Sequence, residues 1–204
     1  MPADGKNLDI LPIALDEETW NNMLNGMGND DWSYDPQTKQ VKAGSDGILE
    51  INLFPQGTGA PGNRGTVDIG GYDNSTSDIA RQIVSGISAS DLAYHGGKLE
   101  LNADGELLLN GDTGISAGVK DELASIIHEP KIIPIFRSIS ANGNNAQYTI
   151  VKFVGIRILD VKLNGQMNSK RVIIQPANIV TKGGITSTSD MTSYFIYSPP
   201  RIVR

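Results

Sequence analysis

From Tyr148 to Leu163 the chain is rich in isoleucine and valine and reads as one long strand. Alternation places Ile150 on the buried side, and after a change of phase Phe153, Ile156, Ile158, Val161 and Leu163. Gly155 predicts a bulge or bend within it. Lys152, Arg157, Asp160 and Lys162 interrupt the run, so it is not a membrane-spanning helix. No other stretch reads as such a helix or as a signal peptide. Arg171 to Gln175, ended by Pro176, and Tyr194 to Tyr197, ended by Pro199 and Pro200, predict further strands. Ile202 and Val203 continue on an edge. The C-terminal third is therefore β-rich.

The first two thirds mix helices with shorter strands. Leu11 to Leu15 is an apolar, buried lead-in, and residues 1–10 form a flexible start. Asp16 sits at an N-cap position, with Glu17 and Glu18 in the first helical turn, where carboxylates favour the positive end. Trp20, Met23 and Leu24 share a face, and Gly26 stops the helix. Asn29 to Gly47 reads as a polar surface loop. Ile48 to Phe54 reads as a strand. Asn74 to Asp78 is a capping cluster for a helix with Ile79, Ile83 and Val84 on its apolar face, closed by Gly86. Ser88 to His95 adds a further turn or two. Lys98 to Asn102 and Glu106 to Asn110, joined through Asp104-Gly105, predict a β-hairpin. Ser116 caps a helix through Val119 and Ile127 that ends before Pro130. Ile132 to Phe136 is a short buried strand. No repeat or linker divides the chain. The expected fold is α+β, a mixed, mainly antiparallel sheet with three to four helices in one domain.

The 204 residues suit one large domain, and a hydrophobic fraction of 39% is well above that of a disordered chain. A net charge of -6 with scattered basic residues argues against a nucleic-acid partner. With 0 cysteines, disulfide scaffolds, thiol catalysis and thiolate metal sites are excluded.

Few motifs point to chemistry. Gly57-Thr58-Gly59-Ala60-Pro61-Gly62 fits the dinucleotide string, but Pro61 and Gly65 oppose the helix that a pyrophosphate site requires, so a structural loop is expected. No phosphate-binding Gly-Lys-Ser/Thr string occurs. His95 and His128 read as helix-end residues, without the nucleophile elbow of a hydrolase. Asn102, Asp104, Glu106 and Asp112 offer oxygen atoms for weak calcium binding, although turn chemistry explains them as well. No catalytic, cofactor or metal residue is assigned. Two other classes stay open: a carbohydrate-binding or adhesin module, disfavoured by an aromatic content of 6%, and an envelope-polymer hydrolase acting through carboxylates or a serine.

Five strings together resemble one family. They are Leu11 to Leu15; Pro61-Gly62-Asn63-Arg64-Gly65-Thr66-Val67-Asp68; Gly111-Asp112-Thr113-Gly114 with the helix after it; Ile132 to Phe136; and Tyr148 to Val154. Their order, from about Leu11 to Gln175, resembles the exported part of TadE/TadG-like proteins of the tight-adherence (Flp-type) pilus system. The resemblance implies a single exported domain over residues 1–204, held on the outer side of a membrane by an N-terminal helix that is not part of this chain. It implies pilus or envelope proteins as partners and a docking role in assembly or adhesion. It brings no catalytic residues. Its signature loop, with Pro61, Gly62, Asn63, Gly65 and Asp68, is expected to be structural. The segments Gln56 to Gly71 and Ala141 to Ala146 are the loops expected to carry any binding.

Overall fold

The computed structural model describes residues 6–53, 64–71, 75–140, 145–166, 169–183 and 194–199. Its strands are β1 (Ile13–Asp16), β2 (Trp32–Asp35), β3 (Gln40–Ala43), β4 (Ile51–Asn52), β5 (Arg64–Val67), β6 (Leu107–Asp112), β7 (Pro130–Ser140), β8 (Ala146–Lys162), β9 (Arg171–Pro176), β10 (Ile179–Val180) and β11 (Ile196–Tyr197). Its helices are α1 (Glu17–Leu24), α2 (Thr76–Ser85), α3 (Ala89–Ala93) and α4 (Lys120–Ser125), with a 3-10 turn over Ala117–Val119 before α4. The fold is α+β, and most strand pairs are antiparallel.

The long strand organises the molecule. The first part of β8 pairs with β6 on one side and β7 on the other, and the chain of pairs β6–β5–β1–β7 returns to β8. Five strands thus close a ring. An odd ring cannot be antiparallel throughout, because each antiparallel step reverses direction. The parallel pair β1–β7 supplies the exception. Beyond the ring, the second part of β8 pairs with β9, and β9 with β4, as an open wing.

Register sorts the side chains. Ala14 lies opposite Gly65, Val67 opposite Gly111, Leu109 opposite Tyr148, Gly111 opposite Ala146, and Phe136 opposite Ile150. Their side chains share one buried cluster inside the ring. The small residues Ala14, Gly65, Gly111 and Ala146 leave room for Tyr148. A Cβ on Gly65 would overlap the Tyr148 hydroxyl. Tyr148 meets Phe136 edge to face at 5.1 Å, and its hydroxyl donates to the Asp112 carbonyl at 2.8 Å. The alternate residues Ile13, Leu15, Ile133, Ile135 and Val151 face outward and pack with Trp20 and Met23 of α1, Ile79 and Ile83 of α2, and Leu123 of α4.

Several expectations hold. Asp16 caps α1, accepting from the Thr19 N–H at 2.8 Å, and Gly26 follows with φ +88°. Ser75 caps α2, and Gly86 closes it. Ser116 caps the 3-10 turn. The phase change in β8 is real: Ala146, Tyr148 and Ile150 face the ring interior, whereas Val154, Ile156 and Ile158 join the helix-side cluster.

Others are corrected. Leu11 to Leu15 is no mere lead-in, since β1 begins at Ile13 and lies between two strands. Arg64–Val67, within the glycine-dense segment, is a fully buried strand. Residues 29–47 hold the antiparallel hairpin β2–β3 rather than only loop. The Asp104-Gly105 turn forms, with Gly105 at φ +77°, but Lys98 to Asn102 is not a strand; β6 pairs with β5 and β8 instead. Ring closure outcompetes the local hairpin by giving β6 two partners. Val84 is exposed rather than on the buried face of α2. Gly155 holds regular register opposite Ile132, and the register shift of the wing falls between Ile158 and Asp160. Gly155 is needed for another reason: a Cβ there would strike the backbone carbonyls of Ala177 and Phe195, which cross over β8. The strand predicted over Tyr194 to Tyr197 shortens to β11, and that over Ile48 to Phe54 shortens to β4. Phe54, Ile202 and Val203 lie outside the described residues.

Candidate functional site

The glycine-dense segment leaves the ring at β5 and runs towards α2. Asp68 follows β5 directly. Its N–H donates to the Asn110 carbonyl at 2.7 Å, and its carboxylate accepts the Gly70 N–H at 3.0 Å. Gly70 lies against Asp91 of α3 so closely that a Cβ would overlap that carboxylate. Here a glycine is required by close approach.

Asp91 organises the surface beyond. Its carboxylate accepts from both terminal nitrogens of Arg81, at 3.1 and 2.7 Å, and from the Ser88 N–H at 2.7 Å and hydroxyl at 2.8 Å. Ser88 and Asp91 form a reciprocal capping box at the start of α3. Arg81 also binds Asp78 through Nη2 at 2.7 Å. Burial alone would raise the Asp91 carboxyl, but the bonds from Arg81 and Ser88 outweigh it and hold its pKa below the ordinary value. The same bonds, that to Asp91 foremost, raise Arg81. This cluster floors an open depression of about 640 Å³ rimmed by Gly70, Gly71, Ser75 and Tyr94. Each charge within it is answered by another, so the cluster acts as a clasp holding α2, α3 and the β5 exit together. An ionised carboxylate held in this way is a poor proton acceptor, which disfavours acid–base chemistry at Asp91.

Of the expected signature residues, Gly65 faces into the ring and Asp68 sits at the β5 exit. Pro61, Gly62 and Asn63 lie outside the described residues. Arg64, beside them, is 2% exposed, and burial lowers its guanidinium pKa to about 10. Burial likewise raises the Tyr148 phenol. Of the second expected loop, Ala146 opens β8, and residues 141–144 are outside the described set.

The residues weighed for chemistry make the following main-chain and turn contacts. His128 adopts φ +74°; its N–H donates to the Ile158 carbonyl, and its own carbonyl accepts from Arg157 Nε at 2.8 Å. His95 donates its N–H to the Leu92 carbonyl at the end of α3. The Asn102 side chain accepts the N–H groups of Asp104 and Glu106, which is turn chemistry. Among the described residues no group of three or more His, Asp or Glu side chains is placed to hold a metal ion. Among them too, no helix is long and apolar enough to cross a membrane.

A second concavity, of about 570 Å³, lies between α1, the start of β2 and the β4 edge. Glu50 stands at its base. One carboxylate oxygen accepts the Asp31 N–H at 3.2 Å and the other the Trp32 N–H at 2.6 Å. Burial raises the Glu50 carboxyl despite these bonds, and the nearby Asp31 and Asp30 add to the rise. Sequence reasoning reached the rim of the first place through the end of the Gln56 to Gly71 loop but missed its charged floor, and it missed the second place. The Ser-x-x-Asp string at Ser88 to Asp91 was a readable cap signal, but nothing local links Arg81 to Asp91 or Glu50 to the hairpin.

At the level these features reach, the chain is an α+β protein built on a closed five-stranded ring with an open wing. Comparison with protein-family models, curated proteins and solved structures found no match.

Proposed function

We propose that the chain is the exported domain of a membrane-anchored TadE/TadG-like protein that takes part in tight-adherence pilus assembly or adhesion by docking to pilus or envelope proteins. One observation carries this reading. The strand portions of the five strings that resemble the family fall on the ring: Leu11 to Leu15 meets β1, Arg64 to Asp68 meets β5, Gly111 to Gly114 meets the end of β6, Ile132 to Phe136 lies in β7, and Tyr148 to Val154 lies in β8; the helix of the third string meets α4, which packs on the outside of the ring, and Pro61 to Asn63 lie outside the described residues. They leave out the β2–β3 hairpin, α2, α3 and β9. A likeness centred on one closed substructure and a helix packed against it is what a shared scaffold would produce, with partner choice left to the surface around it. The Arg81–Asp91 clasp, in which each charge is answered by another, supports a structural role for that cluster.

Two measurements test this. The gene upstream of the segment encoding this chain should encode a run of about 20 apolar residues, enough to span a bilayer. The purified chain should bind isolated pilus subunits in biolayer interferometry. A reading frame without such a run, together with no binding to pilus subunits, would sink the proposal.

A further inference from the structure

We propose that the groove between α1, β2 and β4 binds a neutral oligosaccharide. This rests on the groove itself and not on the pilus reading. Its volume of about 570 Å³ is within the range of small-ligand sites. Its lining includes Asn22, Asn29, Asn52, Asp31, Trp32 and Met27.

The charges in the groove decide the ligand class. Glu50 spends both oxygens on the main-chain N–H groups of Asp31 and Trp32. Arg171, the cation of the lining, is bonded to Asp160. An anionic ligand would therefore meet Asp31 and Glu50, with the lining cation sharing its charge with Asp160 through Nε. What the groove offers is a set of amide donors and acceptors and one exposed carboxylate beside an aromatic face. Carboxamides and carboxylates match the paired hydroxyls of a pyranose, each amide offering two donors and an acceptor. The indole face matches the apolar C–H face of the same ring. The low aromatic content disfavours a row of stacking platforms, but a single subsite needs one. The main-chain N–H of Trp32 is fixed to buried Glu50 at 2.6 Å, which anchors the backbone that carries the indole.

The chain reports on this directly. Of its 2 tryptophans, Trp20 is 0% exposed and Trp32 is half-buried at the groove, so a sugar stacking there alters one indole and not the other. The purified chain would be titrated with cellotriose, maltotriose and tri-N-acetylglucosamine, and with trigalacturonate as an acidic control. The expected result is a saturable emission change with at least one neutral sugar and none with trigalacturonate. Trp32→Ala removes the signal, so its affinity is read by calorimetry and should fall about tenfold or more, equivalent to about 1.4 kcal/mol. If that variant does not fold, Asn22→Ala, with α1 otherwise intact, should weaken binding about tenfold with the Trp32 signal retained. Binding unchanged in the folded variants, preference for trigalacturonate, or no saturable response to any neutral sugar would overturn the proposal.

Discussion

The ring and the β2–β3 hairpin are assembled from opposite materials. Inside the ring, apolar side chains interlock around Tyr148, with glycine and alanine placed where the ring of that tyrosine passes. In the hairpin strands no residue is buried. Carboxylates hold the hairpin through main-chain donors, with Asp35 accepting from Gln37 and Thr38 within its turn. Asp30 accepts from Asp46 and Gly47, Asp46 from Tyr34 and Ile48, and Glu50 from Asp31 and Trp32. Arg157 stacks over the Tyr34 ring at 3.7 Å. The hairpin thus replaces apolar burial with directed hydrogen bonds, so the two regions should respond differently to mutation and to pH.

The largest contrast should come from the ring interior. Tyr148→Ala empties space that four small residues were placed to leave, and should cost about 4 kcal/mol in urea unfolding. A loss below about 1 kcal/mol would mean that the interior collapses easily around the gap. Gly65→Ala should cost about 2 kcal/mol by overpacking the same tyrosine.

Asp91→Ala ranks between those two, at about 3 kcal/mol near neutrality, because it leaves Arg81 and the Ser88 N–H without their acceptor. Its pH signature is distinct. The folded Asp91 pKa lies below the ordinary 3.8, so its contribution is present above that value and is lost as pH falls through the folded pKa. Thermal unfolding of the variant and the parent should therefore converge in strong acid. Parallel curves down to the lowest pH would show that the clasp contributes by packing alone.

The hairpin should behave locally. Glu50→Ala leaves two main-chain donors without their acceptor and should speed hydrogen exchange over residues 31–48 by an amount worth about 2 kcal/mol, while ring amides keep their protection. The sign of its pH dependence is reversed. Glu50 is raised above 4.5, so its contribution is present below that value and is lost as pH rises through the folded pKa. Hairpin protection, corrected for intrinsic exchange, should weaken on going from acid towards neutrality, opposite to the Asp91 effect. Equal protection changes in hairpin and ring would erase the distinction between the regions. The smallest effect expected is that of Arg157→Gln, about 1 kcal/mol from the lost stacking on Tyr34, read by the same exchange measurement.

Much of the ring was legible. Alternation marked β8, and the isoleucine-rich stretch at Ile132 to Phe136 marked β7, because apolar period two is a local signal. Asp16, Ser75 and Ser116 were legible as caps because a cap is read within four residues. The candidate site was not legible in this way. The Arg81–Asp91 bond spans ten positions and the Glu50–Trp32 bond eighteen, and no pattern in the chain ties such pairs together. The β6 strand was placed correctly but assigned the wrong partner, because a turn signal at Asp104-Gly105 says nothing about a competing long-range strand.

By itself, the sequence determined the class of fold, the long strand and its change of phase, the helix starts, and, with 0 cysteines, the exclusion of thiol chemistry. These depend on local dihedral preference, apolar period and composition. Tertiary structure alone decided that the strands close into a ring, that Gly65, Gly70 and Gly155 are demanded by close approach, and that Asp91 meets Arg81 and Glu50 meets the main chain of the hairpin. Those outcomes depend on which distant segments meet, and that is settled by the joint packing of the whole chain.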